Sequence, residues 1–360
     1  MKTVQREETT RTGYQRYTRR KALFLLGLLL VAIFMALLSL SVGSSGMPLK
    51  DVLNTLLGRS GDASMKTILF QVRMPRVLTA VAVGMALALA GCVMQSVLRN
   101  PLASASTLGV SQGASFGAAV AIVYFHAGSK ASGNALSSIT FTHPYIIVIL
   151  AFLGGMTTTV LILFLSKVRG VSPTVMILVG VALSAMFSGA TTLIQYFSDD
   201  EMVASIVYWT FGSLGRAGSE EIALIFITSL LSFLYFFYNR WNYNAMESGV
   251  QTAKSLGVPV DRLILLSMFL ATLISATAIA FVGTISFIGL IAPHMVRKVV
   301  GSDYRFLLPG SALLGSMLLL FADLLSRTVR TPAVLPIGAI TSFLGAPLFL
   351  YLILKKGKRR

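Results

Sequence analysis

The stretch VLTAVAVGMALALAGCVMQSVL, residues 77–98, decides the fold class of this chain, because it contains no charged residue over the length of a membrane-spanning helix. A bilayer core of about 30 Å needs roughly 20 apolar helical residues to cross it. The whole chain shares this character, with 55% hydrophobic and 12% charged residues among 360, whereas an ordinary globular chain carries about 25% charged residues. The sequence therefore predicts an all-α polytopic membrane protein.

Charged or turn-rich stretches divide the rest of the chain into further apolar runs. Two shorter runs, 284–296 and 202–215, could each span the membrane, re-enter it or lie at its interface, and hydropathy does not distinguish these possibilities. Nine runs have spanning length: 22–42, 77–98, 102–125, 145–165, 174–197, 222–238, 263–282, 306–325 and 333–354.

The basic residues select among the possible topologies. The chain has 30 Lys and Arg against 13 Asp and Glu, a net charge of +17, and cytoplasmic loops of membrane proteins collect Lys and Arg. With 284–296 as a span and 202–215 external, ten spans place 21 of the 30 basic residues and both termini inside. Making 202–215 an eleventh span leaves 13 inside, and omitting 284–296 leaves 15. The charge therefore predicts ten spans in a membrane of the bacterial inner type, and it argues against nucleic-acid binding.

This topology gives the chain one membrane domain, 22–354, between two basic cytoplasmic tails, 1–21 and 355–360. The external segment is 198–221, and the longest cytoplasmic loop is 239–262.

The cytoplasmic loop 239–262 has the pattern of a short amphipathic helix. Met246, Val250, Ala253 and Leu256 fall at helical spacing, and Gly257 follows as a C-terminal cap. A helix lying on the membrane surface is the alternative, but such helices usually carry several basic residues, and this one has a single lysine. We expect a docking helix for a soluble partner.

The spans offer little chemistry. Asp323 is the only acid within a span, close enough to the outer end to snorkel or to pair with Arg327 four residues later. His294 lies at the inner end of the short eighth span. A secondary transporter would need one of these as a proton carrier. The chain has no phosphate-binding G-x-x-x-x-G-K-[ST] loop, channel filter or metal-binding cluster, so ATP-driven transport requires ATP hydrolysis on another chain.

Several motifs, in the same order along residues 71–354, resemble the permease subunits of the iron-siderophore and vitamin B12 class of ABC importers. They are RMPR at 73–76, VGMALALAG at 83–91, NPLA at 100–103, LGVS at 108–111, the loop 249–257, GTISFIGLIAPH at 283–294, the Ala-Asp pair at 322–323 and LPIGAITSFLGAP at 335–347.

The resemblance implies a dimeric, ten-span permease that pairs with itself or with a homologue. Two cytoplasmic ATPases and an extracytoplasmic substrate-binding protein would complete the importer, and ATP and magnesium would be held by the ATPases, with no cofactor in this chain. The implied cargo is an iron-siderophore complex. Haem and cobalamin importers of the same family stay open as alternatives, and so does an ion-coupled secondary transporter.

The resemblance also implies three sets of functional residues. The outer arginines would dock the binding protein by charge, the loop would enter a groove on the ATPase, and weakly polar side chains of the fifth span would border the translocation pathway at the subunit interface. The docking residues are Arg73, Arg76 and Arg327; the coupling residues are Gly249, Ala253, Leu256 and Gly257; the pathway residues are Ser184, Ser188, Thr191 and Gln195.

Overall fold

The computed structural model of the protein describes residues 2–43, 46–59, 62–128, 141–169, 172–330 and 333–357, and within these ranges it contains helices and loops but no strand. The helices are α1 (Lys2–Ser41), α2 (Leu49–Leu56), α3 (Ala63–Thr67), which continues through a π-helical segment (Ile68–Arg73) into α4 (Met74–Val97), α5 (Val110–Tyr124), α6 (Pro144–Arg169), α7 (Pro173–Tyr196), α8 (Asp200–Thr210), α9 (Ser219–Tyr238), α10 (Arg240–Glu247), α11 (Val250–Ser255), α12 (Val260–Val282), α13 (Ile288–Val300), α14 (Tyr304–Thr328) and α15 (Ile337–Gly357).

Seven helices within the described ranges are long and apolar enough to cross a membrane: α1, α4 with its preceding turns, α6, α7, α9, α12 and α14. The predicted all-α polytopic class is thereby confirmed. The count of ten spans depends on three further helices, α5, α13 and α15, and stays a prediction. Helix α1 begins at Lys2, so the predicted tail 1–21 continues the first apolar run as one helix. The last three residues of the tail 355–360 lie outside the described residues.

The predicted span 102–125 begins too early. Residues 100–109 form turns, and α5 starts only at Val110. The Asn100 side chain accepts a hydrogen bond from the backbone of Leu102 at 2.9 Å, and Gly109 has a φ of 84°, a conformation that favours glycine. Hydropathy registers the apolar residues of this segment but not the hydrogen bonds that hold it in turns.

The segment 284–296 also differs from a simple helical span. Residues 283–287 are not helical, and α13 occupies Ile288–Val300. The Thr284 hydroxyl donates to the carbonyl of Thr210 at 2.6 Å, which ties this stretch to the end of α8. With 13 residues, α13 is about 20 Å long at 1.5 Å per residue, so a crossing here combines non-helical backbone with a short helix.

The cytoplasmic loop contains two short helices where the apolar spacing predicts one. Met246 belongs to α10, while Val250 and Ala253 belong to α11. The break falls at Gly249, whose φ of 123° is outside the helical region. Gly257 has a φ of 81°, and its backbone N–H donates to the carbonyl of Lys254 at 3.0 Å. The predicted C-terminal glycine cap is therefore present.

Helix α4 lies at the centre of the bundle and packs against α9, α12, α13 and α14. Glycines allow these backbones to approach closely. A Cβ atom on Gly91 would overlap the carbonyl of Gly289 in α13, and one on Gly84 would lie 2.5 Å from the carbonyl oxygen of Gly315 in α14. Small residues commonly serve this purpose between membrane helices, where dispersion replaces the hydrophobic effect. The side chains around α4 are consequently held in fixed positions.

Candidate functional sites

A buried ion-pair cluster joins α4 and α14 at the end of the molecule that the topology places outside. Asp323 is fully buried in α14. Nε of Arg76, in the first turn of α4, donates to one Asp323 carboxylate oxygen at 2.6 Å, and an Arg327 guanidinium nitrogen lies 3.0 Å from the other. We call Arg73, Arg76, Arg327 and Asp323 the outer arginine cluster.

The cluster also fastens the carboxyl end of α1. Arg73 donates to the carbonyls of Leu40 and Ser41 at 2.6 and 2.8 Å. Arg327 donates to the carbonyls of Ser39 and Val42, both at 3.1 Å. The last carbonyls of a helix have no partner within the helix and carry its negative dipole end. A guanidinium group donates hydrogen bonds to these carbonyls and places a positive charge at the negative end of the helix. The cluster therefore holds α1, α4 and α14 together.

The sequence placed Asp323 near the outer end, where it could snorkel or pair with Arg327. The pairing is present and the snorkelling is not, because the carboxylate has no exposed surface. The pair with Arg76 was missed, since no local pattern connects residues so far apart. The side chains of Arg76 and Arg327 keep 16% and 10% of their surface exposed, and Arg73 is buried.

The loop 239–262 presents two large exposed apolar side chains, Leu256 and Trp241, the second 55% exposed. Ala253 is buried beneath α11 and Leu256 is 69% exposed at its end. The four predicted coupling residues thus lie on α11 and at its two ends, with Ala253 facing inward and Leu256 exposed.

A polar network, which the sequence reasoning did not find, connects α10 with the start of α14. The hydroxyl of Tyr304, a fully buried residue, donates to the Glu247 carboxylate at 3.0 Å and accepts from Arg297 at 3.3 Å. The Asn244 side chain accepts from the backbone N–H of Tyr304 at 2.9 Å. Asn244 and Glu247 lie on α10, the helix that comes before α11. The network therefore connects the cytoplasmic loop to α13 and α14 through hydrogen bonds.

Asp303 caps the same end of α14. Its carboxylate accepts from the backbone N–H of Arg305 at 3.1 Å and forms an ion pair with that side chain at 2.8 Å. Burial raises the pKa of Asp303. Hydrogen bonds from Arg305 and Asn244, together with the charge of Arg305, lower it by more than burial raises it, so the pKa lies below its usual value. This charged cap stabilises the helix start next to the loop.

The predicted pathway residues lie on α7, a largely exposed helix. Ser188 is exposed, while Ser184, Thr191 and Gln195 are partly exposed. Ser184 and Thr191 donate to carbonyls four residues earlier, at 2.8 Å in each case. Such bonds within the helix leave a smooth surface with few free donors. Large apolar side chains of α7 and α15 are also exposed, including Leu178 and Phe343.

Comparison with known proteins identifies the family of the chain. A family model described as the FecCD transport family matches residues 28–355. The chain belongs to the FecCD transport family.

Individual FecCD relatives match over nearly the full length. MJ0087 of Methanocaldococcus jannaschii, named as an ABC transporter permease protein, is 48% identical over 96% of this chain and 98% of its own. HmuU of Yersinia pestis, a hemin transport system permease, is 35% identical over 92% and 96%. A solved structure of a metal-chelate type ABC transporter in an inward-facing conformation has a TM-score of 0.79 at 33% identity, covering 92% of this chain and 99% of that one.

FecCD membership defines the class of protein. The chain is a multi-pass membrane permease subunit of an ABC importer, and it is not itself catalytic.

Proposed function

We propose that this chain carries an iron-siderophore complex through the cytoplasmic membrane, as one of two permease subunits served by two ATPases and an extracytoplasmic binding protein. The observation that supports this most is the match of residues 28–355 to the FecCD family. The permease would have ten spans and both termini in the cytoplasm. It would hold no cofactor, since ATP and magnesium would bind the ATPases.

The second permease subunit would cover α7 and α15. These helices present apolar side chains to the outside, such as Leu178, Val181, Phe343 and Leu350, although α7 also carries the hydroxyls and amide of the proposed pathway. The exposed side of α7 carries both apolar and weakly polar side chains. The apolar ones suit a subunit interface, and the weakly polar ones suit a channel beside that interface. Ser184, Ser188, Thr191 and Gln195 would border the channel. They would let a bulky chelate slide without binding it tightly.

The binding protein would dock at the outer arginine cluster. Its carboxylates would meet Arg76 and Arg327 through their exposed edges, while Arg73 would act mainly by holding the end of α1 in place. Charge pairing of this kind orients partners and speeds their encounter more than it adds affinity. Docking would compete with Asp323 for the guanidinium groups, which links binding outside to the packing of α1, α4 and α14.

The ATPase would receive the loop at Gly249, Ala253, Leu256 and Gly257. Closure of the ATPases would push α11, and the network of Glu247, Tyr304 and Arg297 would carry this movement to α13 and α14. A small displacement of α11 could produce a large rearrangement of the membrane helices, because packed helices tend to switch between two discrete arrangements.

An ion-coupled transporter is the second candidate, and it has less support. Asp323 is engaged by two guanidinium groups, and protonating it would leave two buried cations without a counter-ion. Haem and cobalamin are the alternative cargoes within the family.

Ligand binding by the partner receptor tests the cargo directly. The extracytoplasmic binding protein that serves this permease is titrated with a ferric hydroxamate, ferric citrate, hemin and cobalamin, and the dissociation constants are compared. Tightest binding of a ferric siderophore supports the proposal, and tightest binding of hemin or cobalamin replaces the cargo while leaving the importer class intact.

A further inference from the structure

A basic cavity of about 660 Å³ lies beside the outer arginine cluster. It opens between the loop that follows α8 and the segment that leads into α15. Two guanidinium groups line it, those of Arg76 and Arg216, together with the polar side chains of Tyr208 and Ser213, and none of its described lining residues is acidic. We call this space the outer vestibule.

The two arginines differ in their partners. Arg76 forms an ion pair with Asp323, which it shares with Arg327. Arg216 donates to the backbone carbonyls of Tyr208 at 2.8 Å and Trp209 at 3.3 Å, and its guanidinium lies 5.3 Å from the ring centre of Phe141. Among the described residues, no carboxylate reaches ion-pair distance of Arg216.

Arg216 is therefore a half-buried cation without a counter-ion among the residues that the structure describes. Burial lowers the pKa of Arg216 to about 10, and the group remains positively charged near neutral pH. Desolvating an unpaired charge is costly. A guanidinium carries five N–H donors, and the hydrogen bonds to Tyr208 and Trp209 use two of them. The remaining donors are available to an anion in the vestibule.

The backbone adds to the positive potential of the same space. Leu335, Pro336 and Ile337 line the vestibule at the amino end of α15, and the first turn of a helix carries a partial positive charge. Gly338 N–H donates to the carbonyl of Phe211 at 3.0 Å, which fixes this helix start against the loop after α8. The arginine charges and the start of α15 therefore make the outer vestibule suited to an anionic group.

We propose that the outer vestibule receives the carboxylate groups of an anionic metal chelate, with Arg216 as the residue that binds them. This inference rests on the proposed function and narrows it, because it assigns the cargo to carboxylate-bearing chelates rather than neutral ones. Charge-assisted bonds from a guanidinium to a carboxylate can be bidentate and orient the bound group. The chelate would be held at the outer end of the helices that border the pathway before it moves inward.

The test uses the complete importer in proteoliposomes, with the binding protein outside and ATP inside. Initial uptake rates are measured for ferric citrate and hemin as carboxylate chelates, and for a neutral ferric trihydroxamate. The variants are Arg216→Gln, Arg216→Lys and the control Arg330→Gln, which removes an exposed arginine at the end of α14. Binding-protein affinity and thermal stability of the complex are measured on the same preparations.

We expect Arg216→Gln to lower uptake of whichever carboxylate chelate the wild type transports by about tenfold, because the variant loses the charge-assisted hydrogen bonds to the carboxylate. Uptake of the neutral chelate and binding-protein affinity should be unchanged. Arg216→Lys should restore much of the rate, and Arg330→Gln should behave as wild type. If Arg216→Gln does not assemble, Ser213→Glu places a negative charge in the same vestibule and should reduce carboxylate-chelate uptake selectively.

Four outcomes would overturn the inference. These are unchanged carboxylate uptake in Arg216→Gln, an equal loss for charged and neutral chelates, a loss of binding-protein affinity that accounts for the whole effect, and wild-type uptake of the neutral chelate alone. The third would identify the carboxylate as one on the binding protein. Absence of ATP-dependent uptake of any chelate by the wild type would instead overturn the proposed function, and this inference with it.

Discussion

Arg76 and Asp323 are separated by 247 positions in the sequence, yet Nε of Arg76 lies 2.6 Å from the Asp323 carboxylate. The same carboxylate pairs with Arg327 at 3.0 Å. One fully buried acid thus forms ion pairs with both of the cations that join the amino end of α4 to the carboxyl end of α14. The relationship makes Asp323 a structural counter-ion in this conformation, and it sets the first prediction.

Replacing Asp323 with asparagine should destabilise the protein strongly. The change leaves two poorly hydrated guanidinium groups without a counter-ion, and breaking a buried pair in this way costs about 3–5 kcal/mol. Asp261→Asn is the control, because its pair with Lys254 spans 3.6 Å and both side chains are about half exposed; an exposed pair contributes about 0–1 kcal/mol. Thermal unfolding in detergent compares the two, and equal melting temperatures would contradict the structural role of Asp323.

Gly91→Ala should disturb the contact between α4 and α13. A Cβ atom there would overlap the carbonyl of Gly289, so the helices must separate, and overpacking costs about 1–3 kcal/mol or more. Gly189→Ala in α7 is the matched control, since nothing lies within 4 Å of its Cβ position. The measurement is the melting temperature of each purified variant. A fall for Gly189→Ala as large as that for Gly91→Ala would rule out helix contact as the cause.

Leu256→Ser should weaken association with the ATPase without altering the stability of the permease. The Leu256 side chain is 69% exposed. Replacing it with serine therefore removes apolar contact area with the ATPase and leaves the packing inside the permease unchanged. The affinity of the purified permease for the ATPase is measured in detergent. Leu57→Ser is the control, because that leucine is 63% exposed at the end of α2, on the predicted opposite side. Equal affinity in the two variants would remove Leu256 from the interface.

Tyr304→Phe should reduce the number of chelates transported for each ATP hydrolysed. The change deletes the hydroxyl that bonds Glu247 at 3.0 Å and Arg297 at 3.3 Å, and it keeps the ring in its packing position. We expect ATP hydrolysis by the assembled complex to continue while uptake falls. Tyr238→Phe, at a residue 80% exposed, should change neither rate. A parallel fall of both rates in Tyr304→Phe would indicate lost assembly rather than lost coupling.

Sequence patterns found the elements whose signals are local. The runs that became α6, α7, α9, α12 and α14 were predicted to within about four residues at each end, because uninterrupted apolar length is a property of neighbouring positions. The glycine cap at Gly257 was found for the same reason. Hydropathy failed at residues 102–109, where side-chain hydrogen bonds and the positive φ of Gly109 keep apolar residues in turns.

Relationships between distant positions could not be predicted. The sequence shows Arg76 as an external basic residue of the RMPR motif, and only the packing of α4 on α14 reveals its acidic partner. Arg216 is the converse case: it was counted among the external basic residues, and only the structure reveals that no described carboxylate lies within ion-pair distance of it. Helix–helix packing therefore determines which charges are structural and which remain available to a ligand or partner.

ATP-driven uptake by the reconstituted importer tests the central claim most directly. The permease is placed in proteoliposomes with its ATPase and binding protein, and uptake of a radiolabelled ferric siderophore is followed. We predict uptake that requires internal ATP and the binding protein, and that continues when a protonophore abolishes the proton gradient. Uptake driven by a proton gradient without ATP would contradict the account.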